Sequence, residues 1–250
     1  MSSYEALASS YDGLTHDVDY AKWADGLAQL LEKNKPQSLG NVLLDFACGT
    51  GSMTIEMAKR GYEMICVDGS SEMLMVASGK EYPESSPIFL CQPMERLDLY
   101  GTIDGCICSL DSLNYLTDYE KLKRAIGRVG LFMLKGGSFL FDVKTTEHFA
   151  KQDGQITVDE TEESYCVWRS EFEESSGLCR HEVDLFEKRG QGWMRSFEEH
   201  TQRGYSEEEV RECLVSAGFT DITVSEHFEG APVGRLFYSA IKGENSQEKI

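Results

Sequence analysis

Apolar positions along the first 140 residues come in two rhythms. "DYAKWADGLAQLLEKN" repeats them at helical spacing through Trp23, Leu27 and Leu30–Leu31, so one or two helices open the chain. Short continuous runs follow: "NVLLDFA", "YEMICVD", "PIFLC", "IDGCICSL" and "GSFLFDV". They are too brief for helices and are separated by helical segments at 52–60, 71–80 and 118–134. Strands that are apolar on both sides and alternate with helices form a parallel sheet covered on both faces.

After Val143 the rhythm changes to period two. "ESYCVWRSEFEE", "LCRHEVDLFEKR" and "WMRSFEEHTQRGY" read as extended ribbons joined by "SSG" and "RGQG", an antiparallel insert within 154–203. "SEEEVRECLVSAGF" is then a helix with a Ser206/Glu209 capping box and Gly218 at its C′ position. "TDITVSEHF" and "GRLFYSAIK" complete the sheet, and "GENSQEKI" is expected to be a frayed tail. The expected fold is α/β, a doubly wound and mostly parallel seven-stranded sheet with leading helices and an antiparallel β insert after the fifth strand. One domain is assigned to 1–150 and 204–242, the insert to 151–203 and a flexible tail to 243–250.

Bulk composition narrows the function. A formal net charge of −19 repels polyanions, so nucleic acid is a poor expectation for substrate. The opening "MSSYEALASSYDGL" lacks the basic patch and apolar run of a signal peptide, and no stretch of eighteen apolar residues occurs. A cytoplasmic protein without membrane attachment is expected. The eight cysteines lie mostly within apolar runs and read as free buried thiols. Cys106 and Cys108 share a strand face but lack metal-site spacing, so no metal is expected.

The stretch "LLDFACGTGS" carries the most chemistry. Gly49 and Gly51 let the backbone turn and approach a ligand where the first strand meets its helix, the position at which open α/β sheets bind ligands. Two ligand classes compete. A dinucleotide favours G-x-G-x-x-G with pyrophosphate on the helix N-terminus, but Thr54 occupies the third glycine position. S-adenosylmethionine is cationic at its sulfonium and ammonium groups, and Asp45 suits the latter. Asp68, 17 residues beyond Gly51 at the end of the second strand, can accept both hydrogen bonds of a ribose diol from either ligand.

Together, "LLDFACGTG", "VDGSSEML" and "CQPMERL" resemble, in order, the motifs of the class I seven-stranded S-adenosylmethionine-dependent methyltransferases, especially the small-molecule N-methyltransferase branch. The resemblance covers roughly residues 4–143 and the final helix and strands. It implies S-adenosylmethionine as cofactor, held by Asp45, Ala47, Gly49 and Gly51, with Asp68 on the ribose. Gly69, Met73, Gln92, Met94 and Leu110 would lie around the adenosine. Ala47 stands where many members have glycine, and Pro93 where many have an acid that reads the adenine amino group; Gln92 or a backbone carbonyl is the expected substitute. The leading helices would form a lid, with Tyr11 near the methyl donor and Tyr20 and Trp23 either in the lid or anchoring it.

The fourth strand ends in "CSLDSLNYL", beside the transferable methyl group in that family. "NPPY", the mark of enzymes acting on nucleic-acid bases, is absent there. Tyr115 is a candidate to orient or deprotonate the nucleophile, and Asp111 is expected to cap the turn that follows the strand. No histidine falls in these motifs, which tilts the acceptor toward nitrogen, although His16 and His148 sit near the expected active-site loops. The insert is expected to roof the substrate site, where Tyr165, Trp168 and Trp193 are available, or to join two copies as a homodimer. The expected activity is methyl transfer to a small-molecule nucleophile, with an NAD-dependent oxidoreductase and a non-catalytic cofactor-binding module as alternatives.

Overall fold

The computed structural model describes residues 4, 7–33, 35–83 and 86–243. Its chain opens with α1 (Tyr11–Leu14) and α2 (Tyr20–Lys33). The apolar runs become β1 (Val42–Phe46), β2 (Glu63–Asp68), β3 (Ile88–Cys91), β4 (Ile103–Cys108) and β5 (Met133–Val143), paired in parallel. Between them lie α3 (Ser52–Ala58), α4 (Ser71–Ser78) and α5 (Tyr119–Phe132), the last started by Asp118, whose side chain accepts from the Glu120 N–H.

Beyond β5 the chain leaves the sheet through α6 (Thr146–Gln152) and builds a second one from β6 (Ile156–Glu160), β7 (Ser164–Glu173), β8 (Leu178–Arg189) and β9 (Gly192–Arg203). These strands pair antiparallel in chain order. The helix α7 (Glu207–Ser216), with the Ser206/Glu209 capping box formed, leads back to β10 (Phe219–Ser225) and β11 (Leu236–Lys242). The main sheet then runs β3-β2-β1-β4-β5-β11-β10, with β11 antiparallel to both neighbours. Neither α6 nor β6 is expected from the sequence pattern. Of the expected tail at 243–250, residues 244–250 lie outside the described residues.

Period-two alternation distributes β1 between two apolar layers. Leu44 and Phe46 face α5 and α7, packing with Ile126, Val129, Val210 and Leu214. Leu43 faces α2 and α3, packing with Trp23, Leu27, Met53 and Met57. Each such apolar side chain contributes about 2 kcal/mol when removed from water. Asp45 shares Leu43's parity, so the pattern that buries its neighbours also carries this acid beneath α3. A smaller apolar cluster of Leu7, Cys166, Val183 and Leu185 fixes the N-terminal segment to the insert. Among the described residues, no helix is long and apolar enough to cross a membrane.

Candidate active site

A cavity of about 480 Å³ opens beyond the carboxyl ends of β1, β2 and β4. That volume lies in the range of small-molecule and cofactor sites. The β1–α3 loop makes its floor by using left-handed backbone at three alternate residues: Ala47 (φ 68°), Gly49 (φ 54°) and Gly51 (φ 79°). A Cβ at Gly49 would meet no atom within 4 Å, so the glycine leaves a free cradle on the cavity wall. A Cβ at Gly51 would approach the Tyr82 hydroxyl to 2.8 Å. Gly51 is the N-cap of α3 and is not part of the wall.

Asp45 is 1% exposed, and its carboxylate accepts from the Thr54 hydroxyl at 2.5 Å. Burial pushes its pKa up to about 7; the Thr54 hydrogen bond opposes the rise and the nearby Asp68 charge adds to it. Asp68 accepts from the Gly49 N–H and the Ser70 N–H, each at 2.8 Å, which fixes its rotamer and holds the loop against β2. Burial raises its pKa above the ordinary carboxylate range against the pull of those bonds. A buried and a half-buried acid beside a glycine cradle suit a ligand that is cationic at one end and carries a diol at the other.

Met73, Met94, Leu110, Gly69 and Ala47 also line the cavity. Gln92 does not. Its amide donates to the Asp98 carbonyl and accepts from the Asp98 N–H, so Pro93, Met94 and Glu95 supply the wall after β3. Thr54, in the place of a third dinucleotide glycine, is fully buried with its hydroxyl on Asp45. That side chain occupies the helix–strand contact that glycine would leave open, which removes the structural basis of the dinucleotide alternative.

The leading helix α1 is tied to the β1–α3 loop by hydrogen bonds and to Lys80 by an ion pair. Asp12 of α1 accepts from Thr50 and Ser52 at 2.5 and 3.0 Å and pairs with Lys80 at 2.5 Å. Tyr11 and Tyr20 face the cavity, whereas Trp23 is buried against Phe237 and anchors α2. Burial raises the pKa values of Tyr11 and Tyr115 well above those of free phenols. Tyr4 joins this wall, with ring centroids 5.6 Å from both Tyr11 and Tyr115.

Leu110 and Asp111 are both left-handed (φ 59° and 48°). The Asp111 side chain does not cap the turn at Ser112–Tyr115, contrary to expectation. Instead it meets Lys144 at 3.1 Å, Arg235 at 2.9 Å and Gln202 at 2.7 Å, while its N–H donates to Asp142. Burial opposes ionisation of Asp111, but Lys144 and Arg235 outweigh it and hold the pKa below the usual range. The cluster ties the ends of β4, β5 and β11 to β9 and sustains the strained turn.

The insert contributes Glu199 and Thr201 to the cavity wall. Tyr165, Trp168 and Trp193 are not among the lining residues, nor are His16 and His148. His200, absent from the sequence-based candidates, is fully buried beside the site: its Nδ1 lies 3.2 Å from the Tyr115 hydroxyl and its Nε2 3.0 Å from Glu198. Its signal is the alternation Glu198, His200, Gln202, polar residues repeating on one side of a ribbon.

Residues 43–137 match the family described as a methyltransferase domain. The chain is 31% identical over 248 residues to the putative methyltransferase YqeM of Bacillus subtilis, covering 96% of this chain and 98% of that one. It is similar to a crystal structure of an S-adenosylmethionine-dependent methyltransferase from Clostridium acetobutylicum, with TM-score 0.81, 27% identity and coverage of 97% and 100%. The sugar N-methyltransferase KedS8 from a Streptoalloteichus species shares the fold, with TM-score 0.79, 22% identity and coverage of 98% and 97%.

Proposed function

This chain belongs to the class I S-adenosylmethionine-dependent methyltransferases, and we propose that it methylates a nitrogen on a small molecule bearing neither phosphate nor carboxylate. The cofactor, when bound, supplies a methyl group already activated by its positive sulfur. Asp45 pairs with the cofactor ammonium, Ala47 and Gly49 give backbone along the methionine moiety, and Asp68 accepts from the ribose diol. Met73, Met94 and Leu110 pack about the base. Tyr11 and Tyr115 stand on the acceptor side.

One observation carries the choice of acceptor: beyond Asp45 and Asp68, which the cofactor engages, the acids Glu95 and Glu199 line the cavity, and no Lys or Arg is among its described lining residues. The loose pairs of Glu95 with Lys121 at 3.9 Å and Glu199 with Arg180 at 3.7 Å offset little of that charge. An anionic acceptor would be repelled here, while an amine is attracted and can stack on Tyr4, Tyr11 and Tyr20. The similar KedS8 structure is that of a sugar N-methyltransferase, which agrees with this reading. The closing lid and insert favour a small acceptor held in line with the methyl carbon away from water.

Incubating the protein with trideuteromethyl-labelled cofactor and a metabolite extract, then resolving products by mass spectrometry, tests this reading. Label is expected on amines without acidic groups. Label confined to oxygen, or to phosphorylated or carboxylated compounds, would refute it.

A further inference from the structure

A chain of hydrogen bonds leads from the cavity into the insert. Tyr115 faces the cavity, its hydroxyl lies 3.2 Å from Nδ1 of His200, and Nε2 of His200 lies 3.0 Å from Glu198. Glu198 also accepts the Tyr4 N–H at 3.0 Å and the Leu7 N–H at 3.2 Å. Donors converging on this carboxylate make it an acceptor toward the imidazole, so Nε2 carries the hydrogen and Nδ1 must accept. Tyr115 therefore donates to His200. The Tyr4 hydroxyl, 2.6 Å away, donates to the Tyr115 oxygen, which keeps one lone pair for the cavity. Every hydrogen bond in the chain thus points inward, toward the imidazole and Glu198.

We propose, on the reading that the acceptor is an amine, that it enters as its ammonium ion and gives a proton to the Tyr115 oxygen as Tyr115 passes its own to His200, held by Glu198. The ammonium N–H bond breaks as an O–H bond forms on Tyr115; the original Tyr115 O–H bond breaks as an N–H bond forms at Nδ1. Positive charge moves from the substrate nitrogen to the imidazole, and no electron is gained or lost. The freed lone pair attacks the methyl carbon, and the C–S electron pair returns to sulfur. On product release the proton leaves by the same path to water. Tyr115 touches the substrate and is the catalytic residue; His200 and Glu198 act through it.

The relay explains why an acceptor that suits an acidic, tyrosine-lined wall as a cation can still become a nucleophile. Burial holds the Tyr115 pKa well up, so its phenol transmits a proton without accumulating as phenolate. Among the described residues, the titratable groups facing His200 are Glu198 on its own strand, Tyr115 from the turn, Tyr4 from the N-terminal segment and His181 across the β8 register. Burial pushes His181 down to about 4, so it brings no charge near neutrality.

The test compares wild type, Tyr115→Phe and His200→Gln as full-length proteins, with benzylamine and putrescine as acceptors and benzyl alcohol and butane-1,4-diol as their hydroxyl counterparts. Calorimetry with S-adenosylhomocysteine should give similar affinities for all three proteins, which verifies folding. At neutral pH, kcat/KM for the amines is expected to fall at least about tenfold in either variant and to recover as pH approaches the alkylamine's own pKa of about 10, where the free base is supplied by solution. Methylated amines with variant profiles parallel to wild type would overturn the relay and leave the nitrogen reading standing. Methylated hydroxyls without methylated amines would overturn both, and failure to turn over either amine would count against the nitrogen reading. Nitrogen-15 NMR of His200 in the S-adenosylhomocysteine complex decides the relay without turnover: hydrogen on Nε2 supports it, and hydrogen on Nδ1 alone overturns it.

Discussion

Replacing Asp45 with asparagine separates what this carboxylate does for the cofactor from what it costs the fold. Burial pushes the acid up to about 7, with the Thr54 hydrogen bond pulling the other way and the Asp68 charge adding to the rise. In the unfolded chain the same group titrates near 4. Between those values the native state holds a proton that the unfolded chain has lost, so the free protein loses stability as pH rises from about 4 to 7 and levels off above. A gap of about three units corresponds to about 4 kcal/mol. An asparagine amide would keep an oxygen for Thr54 and remove the charge. Urea denaturation of the free protein should therefore show Asp45→Asn more stable than wild type at pH 8, by up to about 4 kcal/mol, with little difference at pH 4.

Cofactor affinity should move in the opposite direction. Losing one charge-assisted hydrogen bond to the ammonium costs about 2 kcal/mol, roughly thirtyfold in Kd. In wild type, only ionised Asp45 pairs with that cation, so affinity should weaken about eightfold from pH 7.5 to pH 6, with protons released on binding and seen as buffer-dependent heat in calorimetry. Below pH 7.5 the α-amino group is still largely cationic. 5′-Methylthioadenosine, which has the ribose but neither cation, controls for the raised pKa of Asp68 and should bind with little pH dependence. The reasoning fails if Asp45→Asn is less stable at pH 8, if wild-type affinity is flat over this range, or if the uncharged nucleoside shows the same slope.

Two further substitutions probe the frame around the site. Arg235→Gln leaves Asp142 without its buried cation and Asp111 with Lys144 alone, and should cost about 3 kcal/mol in urea denaturation at neutral pH; a cost below about 1 kcal/mol would show that the cluster relaxes around the loss. Ala47→Gly relieves a left-handed alanine and should stabilise by about 0.5–1 kcal/mol, raising Tm by about 1–3 °C, whereas a fall in Tm would mean that packing of the Ala47 methyl outweighs its backbone strain.

What the sequence reveals follows the range of the forces involved. Apolar runs ending at Asp45 and Asp68 are visible because burial imposes a local pattern, and the Ser206/Glu209 box because its partners are three residues apart. The strand β6 is hidden because it is almost wholly exposed and owes its form to the ladder with β7. α6 has seven residues and one buried side chain, Phe149, too few to display a period. Gln92 sits in a recognisable motif, yet its amide is taken by Asp98 six residues downstream, a local competition that a motif does not encode. His200 is 85 residues from Tyr115, and only the fold of the insert brings them together.

The two halves of the site then impose opposite demands. On the proposed reading the cofactor half is built from strand ends of the main sheet, where the buried Asp45 and half-buried Asp68 share a cavity that has no Lys or Arg among its described lining residues. The acceptor half, on the same reading, joins the N-terminal segment and the insert to the turn after β4, where Tyr4, His200, Glu198 and Tyr115 hydrogen-bond one another. At the seam, Asp111, Asp142, Lys144, Arg235 and Gln202 join the two sheets through charges that are paired within the protein itself. An acid left uncompensated stays ready for a ligand; acids compensated internally hold their geometry whether or not one is bound. The seam therefore holds the two sheets together whether or not the cofactor is bound, while on the proposed reading the cofactor ammonium would offset the cost of burying Asp45.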